Sequence, residues 1–114
     1  MLNTGTKAKQ YIIKSYTNDY ADHVPACYKI GNIICLYANI ALKKNMPEWT
    51  NQKIGYLQEP LNFAVTGGEF PIVPLANNPV PLFVQILDGD VFLCSRSAVG
   101  LLDWYCGNAI AVIL

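Results

Sequence analysis

Short apolar runs separated by Gly, Asn, Asp and Pro dominate the chain, and no long stretch shows the period of an amphipathic helix. Leu82-Phe83-Val84-Gln85-Ile86-Leu87 and Val91-Phe92-Leu93-Cys94 flank Asp88-Gly89-Asp90. Asp and Gly accept the positive φ that a tight hairpin turn demands, so these residues predict two antiparallel strands. Tyr28-Lys29-Ile30 and Ile33-Ile34-Cys35-Leu36-Tyr37 flank Gly31-Asn32 in the same way. Further strands are expected at Gln10–Tyr16, Ala26–Ile30, Ile33–Leu42, Lys53–Leu57, Phe70–Leu75 and Trp104–Leu114. Pro71, Pro74, Pro79 and Pro81 point to an edge strand, because proline cannot donate to a ladder. Gly67-Gly68 reads as a loop whose backbone needs positive φ. The fold class expected is all-β, a small antiparallel β-sandwich of jelly-roll type.

Alternation assigns the faces. In the long strand Ile34, Leu36, Ala38, Ile40 and Leu42 share a core side, and Ile33, Cys35, Tyr37, Asn39 and Ala41 share the other. In the last strand Trp104, Cys106, Ile110, Val112 and Leu114 lie opposite Tyr105, Ala109, Ala111 and Ile113, and Trp104 is expected in the core. Strands apolar on both sides are buried on both sides. In a sandwich this small the second layer comes from another subunit or a covering segment. Tyr37, Asn39, Tyr105 and Ile113 are therefore the expected subunit contacts. Residues 1–20 are read as an N-terminal extension or stalk-linking segment whose strand at Gln10–Tyr16 is either an ordered part of the sandwich or pairs across subunits, and 21–114 as the sandwich.

Composition sharpens this picture. The 114 residues make one domain, 53% hydrophobic and only 14% charged, well below the roughly 25% usual for soluble domains. So few charges on so much surface favour self-association. Lysine plus arginine balance aspartate plus glutamate at eight each, which leaves no electrostatic footprint for nucleic acid. No apolar run is long enough for a membrane span, and the N-terminal residues carry no signal-peptide h-region. Cys27, Cys35, Cys94 and Cys106 lack the spacing of a zinc or redox motif and lie in strand-like runs, so buried thiols are expected.

The run Cys27-Tyr28-Lys29-Ile30-Gly31-Asn32-Ile33-Ile34 resembles the hairpin found near the C-termini of bacteriophage tail-fibre and receptor-binding proteins. Trp49 leading into Ile54-Gly55-Tyr56-Leu57-Gln58-Glu59-Pro60 is similar to the tryptophan and Ile-Gly-Thr-Leu-Pro segment of that group. Val73 to Asn77, the hairpin from Val84 to Val91, and Trp104-Tyr105-Cys106-Gly107 follow in the group's order, over roughly residues 24 to 114. The loop Phe63–Phe70 and the cysteines depart from the pattern. The resemblance implies a homotrimeric β-sandwich at a fibre tip, carried in the virion after assembly in the host cytoplasm. It implies attachment to a host-surface glycan or envelope component, and neither catalytic residues nor a cofactor. A structural trimerisation cap with no ligand of its own is the alternative.

The side chains themselves offer little catalytic chemistry. His23, in Asp22-His23-Val24-Pro25, has no evident nucleophile beside it and reads as a loop residue. Asp88-Gly89-Asp90 lacks the remaining ligands of a calcium loop. Among the aromatics, Trp49 and Tyr56 are the candidate platforms for a saccharide, since a flat ring with a polar tip suits a sugar face. Tyr16 and Tyr20 are further aromatics of that kind. Arg96, the only arginine, completes the expected ligand set as a partner for an acidic sugar or a subunit neighbour, against the default of a solvated surface arginine.

Overall fold

Both predicted hairpins form in the computed structural model, which describes residues 8–63, 65, 69–74, 82–99 and 105–114. The described strands are β1 (Lys9–Tyr11), β2 (Ile13–Ser15), β3 (Ala26–Ile30), β4 (Ile33–Ile40), β5 (Asn51–Leu57), β6 (Glu69–Pro74), β7 (Leu82–Leu87), β8 (Asp90–Ser95) and β9 (Tyr105–Val112). Ile30 pairs with Ile33 across Gly31-Asn32, with Gly31 at φ 61°. Leu87 pairs with Asp90 across Asp88-Gly89, whose φ values of 51° and 83° are the double left-handed signature of a type I′ turn. Every ladder is antiparallel, and the strands divide between two packed sheets. The front sheet runs β1-β3-β4-β9 to the end of β6, and the back sheet runs from the start of β6 through β7-β8-β5 to β2. The chain is an all-β antiparallel sandwich.

Two bent strands join the layers. In β6, Glu69–Ile72 pair with β7 while Val73 and Pro74 pair with β9. The proline-bearing stretch is thus a corner and not the edge that its prolines suggest. Each ladder covers only part of β6, so a strand short of N–H donors serves where no full two-sided ladder is required. The opposite corner lies between β1 and β2, where Tyr11 pairs with Cys27 in the front sheet and Ile13 with Leu57 in the back sheet. The predicted Gln10–Tyr16 strand is therefore broken at Ile12, whose carbonyl accepts from the Gln58 N–H at 2.9 Å. Both halves pair within their own chain. Pro79, Pro81, Gly67-Gly68 and Trp104 lie outside the described residues.

The core forms where the inner faces meet. Ile34, Leu36, Ala38 and Ile40 of β4 point inward as their alternation predicts, opposite a back-sheet layer that includes Ile54, Leu82, Val84, Val91 and Leu93. Burying each of the larger of these contributes about 1.5–3 kcal/mol. In β9 the inward face is Tyr105 and Ala111, with Ala109 packed against the core, and the outward face includes Ile110 and Val112. In register, Leu36 faces Ala109, Ile34 faces Ala111 and Ala38 faces Gly107. Small β9 residues thus lie beside Ile34, Leu36 and Ala38, while at the other end of the ladder Ile40 faces the fully buried Tyr105.

Cys27 occupies the same layer, fully buried on β3 beside Leu36. Burial, with a smaller contribution from Cys35, pushes its thiol up from 9.0 to about 11. The unfolded chain therefore loses this proton first as pH rises, while the folded chain keeps it. Stability contributed by the neutral thiol is complete below pH 9 and is lost as pH climbs toward 11, by about 2 kcal/mol. Urea unfolding at pH 8.5 and 10.5 checks this: the decline should be smaller by that amount in Cys27→Ala. An equal decline in the variant would mean that other groups set the alkaline limit.

Candidate functional site

The two outward faces of the sandwich differ in chemistry. On the front sheet, cross-strand register aligns Tyr28, Cys35 and Ile110 in one row, Ile30, Ile33 and Val112 in the next, and Ala26, Tyr37 and Asn108 in a third. None of these residues is charged. Tyr28, Ile30, Ile33, Tyr37, Ile110 and Val112 are exposed, Ile110 at 69%. A contiguous apolar patch of this kind marks an interaction surface.

Of the expected subunit contacts, Tyr37 and Asn39 lie exposed on this face. Tyr105 does not: at 0% exposure it belongs to the core of its own chain, and its phenol is pushed up from the ordinary value by burial. Ile113 is half-buried at the end of β9, its N–H bonded to the Asn32 carbonyl at 2.8 Å. Missed by the sequence were Ile110 and Val112, assigned to the core side because alternation alone cannot say which of two apolar faces turns inward. No disulfide joins the four cysteines. Cys27 and Cys94 are buried as expected, whereas Cys35 and Cys106 are half-buried, because both sit on this outward face.

The back sheet carries aromatic rings interleaved with charge. After β4 the chain is pinned by Met46, buried and exchanging both backbone hydrogen bonds with Val99. It then turns through Pro47, Glu48 and Trp49 into β5. Ser95, itself buried, locks this turn from β8. Its Oγ donates to the Pro47 carbonyl at 2.5 Å and accepts from the Thr50 N–H at 3.1 Å. Thr50 Oγ1 donates to the same carbonyl at 2.8 Å. Held there, Trp49 adopts φ 56° with 69% of its surface exposed. A bulky residue in the left-handed region costs roughly 1–3 kcal/mol, and such residues cluster at ligand-binding sites.

Arg96 follows Ser95 directly, so its backbone leaves the same anchor, and its guanidinium lies near two rings. It lies 5.9 Å from the Trp49 ring centre and 5.0 Å from that of Phe83. With Asn51, Gln85, Cys94 and Ser95 these two candidates line a cleft of about 230 Å³. Trp49 and Arg96, far apart in sequence, are thereby brought together.

Tyr56 lies elsewhere on the same sheet, in a groove of about 530 Å³ with Tyr16, Lys53, Asp88 and Asp90. Lys53 Nζ sits 3.2 Å from Asp90 Oδ1, 4.6 Å from the Tyr16 ring centre and 5.9 Å from that of Tyr56. Strict alternation would turn Tyr56 inward with Ile54. A bulge between Lys53 and Gly55 inserts one residue against β8 and re-aims Tyr56 outward. Tyr20 is half-buried away from this face, packed against the core with Lys44 over its ring at 5.1 Å. His23 is an exposed loop residue. Among the described residues no group of three or more His, Cys, Asp or Glu is placed to hold a metal ion. No protein-family model, no curated protein and no solved structure matches the chain.

Proposed function

We propose that the chain is a distal domain of a phage tail fibre, which assembles as a homotrimer and attaches to a saccharide of the host surface. The uncharged outward face of the front sheet carries the assembly half of this proposal. Tyr28, Ile30, Ile33, Tyr37, Ile110 and Val112 stay exposed on a strand layer whose other side is already core. Cover from further copies of the chain is the arrangement that removes this surface from water, and a three-fold state follows from the tail-fibre resemblance. Attachment is supported by the back sheet, where Trp49 is held exposed in left-handed backbone beside Arg96. That feature favours a ligand over a purely structural cap, which has no need of a strained, exposed indole.

Light scattering on a size-exclusion column tests the assembly. A mass three times that of the 12.6 kDa chain is expected at micromolar concentration. A stable monomer would overturn the trimer.

A further inference from the structure

Resting on the saccharide reading above, we propose that the cleft between Trp49 and Arg96 takes a carboxylate-bearing sugar. The indole offers the flat apolar surface on which the ring of a sugar lies, and Asn51 and Gln85 bring amides that both donate and accept, as hydroxyl groups require. Those three residues would serve any hexose. Arg96 would not: its planar fork of donors is matched to a carboxylate, which it holds through two parallel hydrogen bonds.

The geometry favours this use of the guanidinium. It stands between two rings, 5.0 Å from Phe83 and 5.9 Å from Trp49, so its conformational freedom is already restricted before a ligand arrives. Among the described residues lining the cleft none is acidic. The Ser95 bonds to Pro47 and Thr50 tie the turn that carries Trp49 to the strand end that carries Arg96. A sugar stacked on Trp49 therefore brings a carboxylate substituent within reach of Arg96.

The intact assembly would be tested for binding to immobilised polygalacturonate, hyaluronate and polysialic acid, and to dextran, galactan and mannan as neutral counterparts. Binding to at least one carboxylated polymer is expected, weakened about tenfold or more when its carboxylates are chemically reduced to alcohols. Arg96→Gln should weaken binding to the carboxylated polymer by a similar factor and leave the weak binding to the reduced one unchanged. Arg96→Lys, which keeps the charge but not the fork, should fall between. Trp49→Ala should weaken binding to both forms. Both side chains are exposed, and circular dichroism of the variants checks that the fold is kept. Binding confined to neutral polymers, or indifferent to carboxyl reduction, overturns the carboxylate inference while leaving saccharide attachment standing. Binding to neither class overturns the saccharide reading and this inference with it.

Discussion

Replacing Ile110 by aspartate is expected to convert the proposed trimer to monomers at micromolar concentration without unfolding the chain. Ile110 sits on β9, beside the middle strand β4 of the uncharged face and in register with Cys35, and 69% of its surface is open in the isolated chain. Its substitution should therefore cost the monomer about 1 kcal/mol or less, mostly through the poorer strand preference of aspartate. In a packed three-fold contact the same carboxylate would be buried without a partner. That penalty is about 3–5 kcal/mol per site and recurs in every subunit, enough to shift assembly by several orders of magnitude. A light-scattering mass of one chain with an unchanged far-ultraviolet spectrum is the expected result. Cys35 and Cys106, half-buried on this face, add a second readout. Their thiols should react slowly with a bulky maleimide in the wild type and fast in Ile110→Asp. Tyr56→Asp, on the other sheet, should leave the mass unchanged. An Ile110→Asp protein that remains trimeric would move the interface to another surface.

The elements were legible wherever one local rule decided them. Gly31 and Asp88-Gly89 announced their hairpins because only a few residue types accept positive φ cheaply. The inner face of β4 followed from alternation, because its outward side includes Asn39 and Tyr37 and so differs from its core side. β9 gave no such contrast. Its inward face carries Tyr105 with Ala109 and Ala111, and which of two apolar faces turns inward is settled only once the strand pairs with β4 and packs on the back sheet. The corner at β6 was illegible for a related reason. Proline rules say which ladders a strand cannot complete, and they leave open that it splits its pairing between two sheets. At the candidate site, residue type pointed to Trp49, Tyr56 and Arg96. Their grouping was hidden, since the Ser95 anchor joins segments from different strands and the bulge at Gly55 shifts Tyr56 to the other side of β5.

Gly55→Ala is the single methyl expected to do the most damage to the fold. The segment Ile54-Gly55 is part of the motif that suggested the tail-fibre resemblance, and the structure gives its glycine a physical reason. A Cβ at position 55 would lie 2.6 Å from the Lys14 carbonyl oxygen, 2.9 Å from Ile13 Cγ2 and 3.1 Å from Val24 Cγ1. The nearest atom is backbone and belongs to β2, which pairs Ser15 with Gly55 and forms one of the two corners between the sheets. No rotamer change relieves that contact; β2 must move away from β5 as a unit. Moving it strains the β2–β5 ladder and pulls Ile13, a core residue, out of its layer. Overpacking of a fixed site costs about 1–3 kcal/mol, and loss of ladder and core contacts takes the expected total to roughly 3 kcal/mol or more. For a domain of this size that lowers the melting temperature by more than about 10 °C. Gly31→Ala, a turn position with open space around its Cβ, should cost about 1–2 kcal/mol through its φ of 61° alone. Calorimetry on the two variants separates steric conflict from backbone strain. If Gly55→Ala melted with or above Gly31→Ala, β2 would not approach β5 as closely as this corner requires.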